Sequence, residues 1–138
     1  MWQGELLHFH ISPAAGLNME SHKSASLISG SGIEGDRYQR GTGKYSDIKD
    51  IREVTLIEIE TLEALKRDHD ITLDPVERRR NLTTRDVPLN HLVGKLFRVG
   101  EVVLLGGRLN TAYRYLNLVT KKDVCDLLEH RSGLSCAI

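Results

Sequence analysis

Two short apolar segments joined by one glycine constrain the fold of this chain more than any other feature. The run GKLFRVGEVVLLGG covers residues 94–107. Each half has the length of a β-strand and is too short for an ordinary helix. We therefore predict two strands hinged at Gly100. The second half, residues 102–105, is apolar throughout, which predicts a strand buried on both faces.

In the segment GELLHFHIS, residues 4–12, the apolar residues Phe9 and Ile11 alternate with the polar residues His8 and His10. The alternation predicts a strand with Phe9 and Ile11 on its buried face and with His8 and His10 on the other face. Two histidines on one face are compatible with metal binding, but the sequence places no third ligand near them. A solvent-exposed strand face explains the pair equally well, and we predict no metal site.

Two helices are predicted from capping patterns. Thr55 and Glu58 match a capping box, and the apolar residues that follow recur at helical spacing, which predicts a helix over residues 56–66. Thr120 and Asp123 repeat the capping pattern and predict a second, shorter helix near the end of the chain.

The remaining short segments favour more strands. ASLIS, RRNLTT and LSCAI each have a strand-like composition and are flanked by turn residues or charged residues. Many short strands with two or so short helices predict a mainly β fold, a β-barrel with the helices packed on it. The length of 138 residues fits one domain. The repeated β-α-β order of most nucleotide-binding folds is not evident in the sequence.

The composition narrows the classes of function. Nineteen Lys and Arg balance nineteen Asp and Glu, so the formal net charge is +0 and no nucleic-acid or membrane partner is expected. An anion site would have to come from a local cluster. The N-terminus lacks the pattern of a signal peptide, and no apolar run approaches the roughly 20 residues that cross a bilayer. Two cysteines in a chain of this size favour a reducing compartment, so we expect a cytoplasmic protein.

Two glycine-rich motifs suggest nucleotide binding, and we reject both. GSGIEG, residues 30–35, matches the dinucleotide pattern, but the polar, glycine-containing segment after it does not predict the helix that this motif requires. GTGKY, residues 41–45, fails as a phosphate-binding loop. Tyr38 occupies the place of its first glycine, and Tyr45 replaces the hydroxyl residue that would reach magnesium.

Three segments occur in an order that resembles one family. They are GSGIEGDRYQRGTGKYS, REVTLIEIETLEAL and ERRRNLTTRDVPLNHLVGKLFRVGEVVLLGGRLN. The succession resembles the MOSC domain, the module named for the C-terminus of molybdenum cofactor sulfurases, in its small stand-alone bacterial form, over residues 4–137. The resemblance implies a β-barrel with a pocket for the molybdenum cofactor, an anionic pterin-type ligand, or for a sulfur-bearing substrate. It also implies sulfur carriage, pyridoxal phosphate binding or reduction of N-hydroxylated compounds as candidate activities.

The segment NTAYRYL departs from the family at the position of the metal ligand. Stand-alone members commonly carry N-T-P-C-R-Y-L there, whereas this chain has Ala112 for the proline and Tyr113 for the cysteine. A thiolate is a soft ligand for a sulfur-rich metal centre, but a phenol with a pKa near 10 is mostly neutral at pH 7. Tyr113 is therefore a candidate catalytic residue, with a packing or hydrogen-bonding tyrosine as the alternative. Cys125 is the candidate for thiol chemistry, and Cys136 fits a core position better.

Consecutive arginines supply the candidate anion site. If RRN is part of a strand, Arg78 and Arg80 share one face and Arg79 shares the other with Asn81. Guanidinium groups bind phosphate or carboxylate through paired hydrogen bonds, so one face could clamp an anionic cofactor. A solvated basic strand edge is the alternative. The resemblance adds cofactor contacts from other segments: Arg37, Asn110, Thr111 and Arg114. Asp36 is predicted to fix the glycine loop.

Two interpretations of function remain open at the level of the sequence. In the first, the chain is a cofactor-dependent enzyme or a sulfur carrier. In the second, it is a non-catalytic small-molecule or protein-binding module that has lost the metal-ligand cysteine. Family members usually continue beyond the segment at residues 133–136 with another strand, and this chain ends at Ile138. If that strand is missing, either the domain closes differently or a homo-oligomer covers the open edge.

Overall fold

The computed structural model describes residues 3–12, 19–21, 23–24, 26–37, 41, 53–74, 79–110, 126–128 and 131–138. The strands are β1 (Glu5–Ile11), β2 (Glu20–Ser21), β3 (Leu27–Ile28), β4 (Gly32–Ile33), β5 (Val54–Glu58), β6 (Leu82–Arg85), β7 (Leu96–Val99), β8 (Val102–Leu109) and β9 (Leu134–Ala137). One α-helix, α1, spans Ile59–His69, and the short 3-10 helices η1 and η2 span Leu89–His91 and Asp126–Leu128. The prediction of a mainly β fold with short helices is confirmed.

Seven strands form one curled sheet in the order β2-β1-β6-β5-β9-β8-β7, and β3 with β4 forms a separate hairpin. Strands β5 and β6 are parallel, and the other paired strands are antiparallel. Since α1 follows β5 directly and β6 comes next, β5, α1 and β6 form one β-α-β unit. The sheet thus brings together strands from the first, middle and last parts of the sequence.

Helix α1 begins later than predicted. Residues 54–58 form strand β5, Thr55 lies within it, and Glu58 is the N-cap without a side-chain capping bond to a described residue. The first four residues of β5 are buried. The helix prediction was wrong for residues 56–58, because a short and fully buried strand has the same continuous apolar character as the first turn of a buried helix. The single β-α-β unit was missed for the same reason.

The sheet separates two apolar clusters. The larger cluster includes Leu56, Leu82 and Leu134, which are paired across β6, β5 and β9. The smaller cluster joins Ile57 to α1 through buried leucines. Leu56 and Ile57 are consecutive in β5, so their side chains point to opposite faces of the sheet. Helix α1 therefore packs on the face opposite the larger core.

The hairpin predicted at Gly100 is confirmed, but its predicted burial is wrong. Strands β7 and β8 pair with a turn at Gly100, whose φ is 59°. Val103 and Leu105 are exposed, whereas Leu104 is fully buried. The hairpin is antiparallel and only one of its faces reaches the core, so an all-apolar sequence does not make both faces buried.

The shorter strand predictions also have a structural outcome. Strand β6 covers only the second half of RRNLTT and β9 covers LSCA, whereas ASLIS shortens to the two residues of β3. GSGIEG lies in the turn and second strand of the β3–β4 hairpin, with Gly30 and Gly32 at positive φ. Of the second predicted helix, the structure describes only η2. Residues 120–125 lie outside the described residues. No described helix combines the length and the apolar character needed to span a membrane.

Candidate functional site

A row of polar side chains crosses the face of the sheet that carries α1. Thr55 of β5 pairs with Ser135 of β9, and Ser135 pairs with Arg108 of β8. Paired residues on neighbouring strands share a face, and Leu56 and Leu134 occupy the opposite one. Both Thr55 and Ser135 are buried. The polar row therefore lies on the side of the sheet away from the larger core.

Asn81 extends this row towards β1 and connects three segments. Its Oδ1 accepts hydrogen bonds from the backbone N–H of Thr55 at 3.0 Å and from Thr55 Oγ1 at 3.1 Å. Its Nδ2 donates to the carbonyl of His10 at 3.1 Å and to Asp36 Oδ1 at 3.2 Å. The side chain is fully buried. Both ends of the amide thus hold protein groups together, and these partners fix its orientation.

Asp36 receives donors from separate parts of the chain. Besides Asn81, the backbone N–H of Ser12 donates to its Oδ1 at 3.1 Å and Arg37 Nη1 lies 3.3 Å from the same oxygen. The carboxylate is buried. The predicted structural role agrees with this geometry, although the backbone donor shown here comes from the end of β1 instead of the glycine loop.

The sequence did not decide whether the Arg37 side chain forms an ion pair or reaches a pocket. In the structure this side chain is buried and pairs with Asp36. Its Nη1 pairs with Asp36 and also donates to Met19 Sδ at 3.4 Å. Its Nη2 donates to the carbonyl of Arg79 at 3.2 Å. The guanidinium therefore connects the glycine loop to the segment that precedes β6.

The arginines before β6 do not alternate as a strand would. Arg79 has φ 57°, in the left-handed region, and β6 begins only at Leu82. The prediction that Arg79 shares a strand face with Asn81 therefore does not hold. The prediction for Arg78 and Arg80 is not tested, because Arg78 lies outside the described residues. Arg79 is buried, so a solvated basic edge is wrong for this residue.

Arg80 bridges β6 and the start of β9. Its Nε donates to the carbonyl of Ser132 at 2.8 Å, and its Nη2 donates to Ser132 Oγ at 2.8 Å. Its Nη1 donates to the carbonyl of Arg79 at 3.1 Å. The Arg79 carbonyl thus accepts from both Arg37 and Arg80, and this shared acceptor brings their two guanidinium groups to the backbone of Arg79.

Asn110 is held at the other end of the row. Its backbone N–H donates to the carbonyl of Gly133 at 2.7 Å, and its Oδ1 accepts from Ser135 Oγ at 2.7 Å. Four predicted residues thus meet in one cluster: Arg37, Arg79, Arg80 and Asn81. Asn110 is connected to this cluster through Ser135, which bonds to its side chain and is paired with Thr55. Four other predicted site residues lie outside the described residues: Thr111, Tyr113, Arg114 and Cys125.

The sequence did not identify Ser132, Ser135 or Thr55 as members of the site. Thr55 was assigned to a helix cap. Both serines lie in the short segment SGLS, which the sequence presents only as a helix end followed by a strand. Alternation along β9 from the apolar Leu134 is the signal that could have placed Ser135 opposite the core.

The histidine prediction is wrong in one respect. His10 is buried, with 1% of its surface exposed, so it does not lie on a solvated strand face. Its ring centroid lies 5.9 Å from that of His8. Within the described parts of the chain, no group of three or more His, Cys, Asp or Glu side chains could hold a metal ion.

Cys136 lies in the larger core, as its sequence position favoured. It is fully buried in β9. Burial raises the pKa of the Cys136 thiol to about 12, and a backbone hydrogen bond from Gly107 only partly opposes this effect. A thiol with this pKa stays protonated at neutral pH, so Cys136 does not supply a reactive thiolate.

Comparison with known proteins identifies the fold. Neither a protein-family model nor a curated protein matches the chain. YuaD from Bacillus subtilis superposes with a TM-score of 0.75 at 14% identity, over 99% of this chain and 90% of that one. YiiM from Escherichia coli superposes with a TM-score of 0.65 at 16% sequence identity, over 95% of this chain and 62% of that one. A third solved structure, of a hypothetical protein, superposes with a TM-score of 0.69 at 17% sequence identity, over 94% of this chain and 57% of that one.

The chain thus spans about three fifths of the length of two of these structures. At such identities the likeness concerns the fold alone. YiiM is a MOSC-domain protein, so the fold of this chain is MOSC-like.

Proposed function

We propose that this chain is a MOSC-domain protein that binds an anionic, pterin-type ligand beside the cluster of Arg37, Arg79, Arg80 and Asn81. The observation that carries the proposal is the Arg79 carbonyl, which accepts hydrogen bonds from both Arg37 and Arg80. It gathers cationic side chains from separate segments. Guanidinium groups recognise phosphate and carboxylate through directed hydrogen bonds. The ligand class is the one that the sequence resemblance to the MOSC family implies, and the MOSC-like fold agrees with that resemblance.

The molybdenum cofactor fits the donor set in part. Arginines would hold its phosphate, whereas the Asn81 amide and the Thr55 hydroxyl bond to protein groups and hold the arginine segment in place. The metal end does not fit equally well, because Tyr113 occupies the position of the family's cysteine and Cys136 is a protonated core thiol. We therefore propose binding of the organic ligand and derive no step at a metal.

A second candidate function is a binding module without redox chemistry. The replacement of the cysteine by Tyr113 favours it, because a neutral phenol is a poor substitute for a thiolate. Both candidates require the same anion contacts and differ in metal content. Sulfur carriage would fall to Cys125. This activity, the binding of pyridoxal phosphate and the reduction of N-hydroxylated compounds stay predictions.

Ligand binding is tested with pterin-6-carboxylate, an anionic pterin whose fluorescence reports binding directly. We expect the wild-type protein to bind it, and Arg80→Lys to weaken binding about tenfold, because lysine keeps the charge but loses the forked donors. Arg98→Ala is the matched control, since Arg98 is an exposed arginine of β7. No binding to the wild type, or equal affinity of Arg80→Lys and wild type, would contradict the proposal.

Metal content separates the two candidates. Protein isolated from a host that makes the molybdenum cofactor is analysed for molybdenum and for released pterin. Stoichiometric amounts of both support the cofactor-dependent enzyme. Pterin-6-carboxylate binding without molybdenum supports the binding module, and Tyr113→Phe should then leave the affinity for the pterin unchanged.

A further inference from the structure

Ser132 holds the guanidinium of Arg80 through two neighbouring acceptors. Arg80 Nε donates to the Ser132 carbonyl at 2.8 Å, and Nη2 donates to Ser132 Oγ at 2.8 Å. Nε and Nη2 form one of the forked edges with which arginine binds a carboxylate or a phosphate. An anion that is attracted to Arg80 at this edge therefore meets Ser132 first.

The direction of the bond to Ser132 Oγ is fixed by the chemistry of its donor. A guanidinium has no acceptor, so the hydroxyl oxygen accepts from Nη2 and the hydroxyl proton points elsewhere. Ser132 is 2% exposed, and within the described part of the chain its side chain bonds to Arg80 alone. The proton is thus a buried donor for which the described residues supply no acceptor. Such donors are unfavourable, and most of them in native proteins bond to protein, ordered water or a ligand.

The two residues after Ser132 anchor it to the sheet. The carbonyl of Gly133 accepts from the backbone N–H of Asn110 at 2.7 Å, and Leu134 pairs with residues of β5 and β8. The backbone of Ser132 therefore cannot shift far without breaking the pairing at the start of β9. Arg80 is only partly buried, so the pair of side chains lies at an opening to solvent.

We propose that Ser132 donates its hydroxyl proton to the anionic group of the ligand, next to the guanidinium of Arg80. This inference rests on the proposed function and specifies which end of the ligand lies at this place. A hydroxyl that accepts from a cation is polarised, and its proton becomes a stronger donor. The acceptor that suits such a proton best is a negatively charged oxygen, whose charge Arg80 also balances. Ser132 therefore contacts the carboxylate or phosphate of the ligand and not its ring.

Two pterins that differ in charge test this contact. Pterin-6-carboxylate carries the anionic group, and 6-methylpterin has the same ring without it. We expect Ser132→Ala to weaken binding of pterin-6-carboxylate about tenfold, the usual effect of losing a hydrogen bond to a charged group, and to change binding of 6-methylpterin by less than about twofold. Ser29→Ala is the matched control, at an exposed serine in the β3–β4 turn, and should leave both affinities unchanged.

A double-mutant cycle with Arg80→Lys separates a direct contact from a role in orienting Arg80. If Ser132 touches the ligand, Ser132→Ala should weaken binding of pterin-6-carboxylate about threefold or more in the Arg80→Lys protein as well. A loss that disappears in the Arg80→Lys protein would mean that Ser132 only orients the guanidinium, and it would refute the contact. Thermal unfolding shows whether each variant folds. If Ser132→Ala does not fold, Ser132→Cys replaces it, because a thiol of similar size is a weak donor and should cause the same loss.

The outcomes distinguish this inference from the proposed function. If the wild type binds pterin-6-carboxylate and Arg80→Lys weakens binding, but Ser132→Ala binds equally or more tightly, the contact is refuted and the arginine site stands. An ordered water on the hydroxyl would give equal binding, and competition between Ser132 and the ligand for Arg80 would give tighter binding. An equal loss of affinity for both pterins would also refute a contact to the anionic group. If the wild type binds neither pterin, the proposed function fails, and the contact fails with it.

Discussion

At the scale of single residues, Asn81 shows why a buried amide organises this site. It bonds to Thr55, His10 and Asp36, so one side chain satisfies donors and acceptors from three segments. Removing it would leave buried polar groups without partners, at about 1–3 kcal/mol each. The sequence pointed to Asn81 through its place beside the arginines. Its hydrogen-bond partners lie 26 to 71 positions away in the sequence, so no local sequence pattern could predict them.

Glu58 gives a prediction about pH. Partial burial raises the pKa of Glu58 above its ordinary value of 4.5, the neighbouring charge of Glu60 raises it further, and His91 opposes the shift. A carboxyl whose folded-state pKa is raised destabilises the fold while it is ionised. This penalty disappears as the pH falls through the folded-state pKa to the unfolded one. We expect Glu58→Gln to stabilise the protein near pH 7 by at most about 1 kcal/mol, because solvent screens a half-exposed group.

The measurement is urea unfolding of wild type and Glu58→Gln from pH 7 down to about pH 4. The gain in free energy of unfolding should shrink as the pH falls and vanish near pH 4.5, the ordinary value of the glutamate pKa. Glu34→Gln, at an exposed glutamate, controls for the general loss of a negative charge. A gain that does not change with pH would rule out this explanation.

At the scale of the elements, the sequence predicted strands well where turn residues separate them. The β7–β8 hairpin follows from a glycine between two apolar segments, and β1, β6 and β9 follow from short apolar or alternating runs. Strand β5 was not predicted, because VTLIE has a capping pattern and leads directly into a helix. Only its parallel pairing with β6, a long-range contact, selects the strand. Local signals therefore failed where tertiary pairing decides the structure.

The glycine before β9 carries a prediction about turns. Gly133 has φ +100°, and a Cβ at this position would lie 1.9 Å from the carbonyl oxygen of Leu56. Gly100 in the β7–β8 turn also has positive φ, +59°, but nothing lies within 4 Å of its Cβ position. Gly100→Ala should cost about 1 kcal/mol for the left-handed conformation alone. Gly133→Ala should cost about 3 kcal/mol or more, because the backbone of β5 must also move.

Thermal or urea unfolding of the two alanine variants tests this difference. Gly133 lies next to Ser132, which holds Arg80, so Gly133→Ala should also weaken pterin-6-carboxylate binding, whereas Gly100→Ala should not. Equal destabilisation by the two substitutions would mean that backbone conformation outweighs the contact with Leu56.

At the scale of the whole molecule, the sequence could predict residues that meet in one cluster but not their arrangement, and a functional role for this cluster stays a prediction. The run of arginines pointed to Arg79, Arg80 and Asn81, and the resemblance added Arg37 and Asn110. Hydrogen bonds connect the first four through the Arg79 carbonyl and Asp36, and Ser135 bonds to Asn110. Arg79 adopts a left-handed backbone, so its carbonyl collects two guanidinium groups. This arrangement arises from three segments that meet only in the folded state, and strand alternation alone predicts a different one.

The exposed face of the β7–β8 hairpin carries the last prediction. Strand β7 lies at the end of the sheet, and among the described strands it pairs only with β8. Leu96 is 72% exposed and shares its face with the exposed side chains of Val103 and Leu105. Unpaired strand edges with apolar side chains favour association, and antiparallel pairing of two copies of one edge strand gives a closed two-fold dimer. The homo-oligomer expected from the sequence would therefore use β7.

Light scattering during size-exclusion chromatography tests this expectation. We expect the wild type to elute as a dimer and Leu96→Lys as a monomer, because the lysine replaces an exposed leucine of the edge strand by a charge and disfavours pairing of the edge. Leu6→Lys changes a leucine of β1 that is 43% exposed and should leave the dimer intact. A monomeric wild type would exclude self-pairing through β7. A dimer that survives Leu96→Lys but not Leu6→Lys would place the interface at β1, at the other side of the sheet.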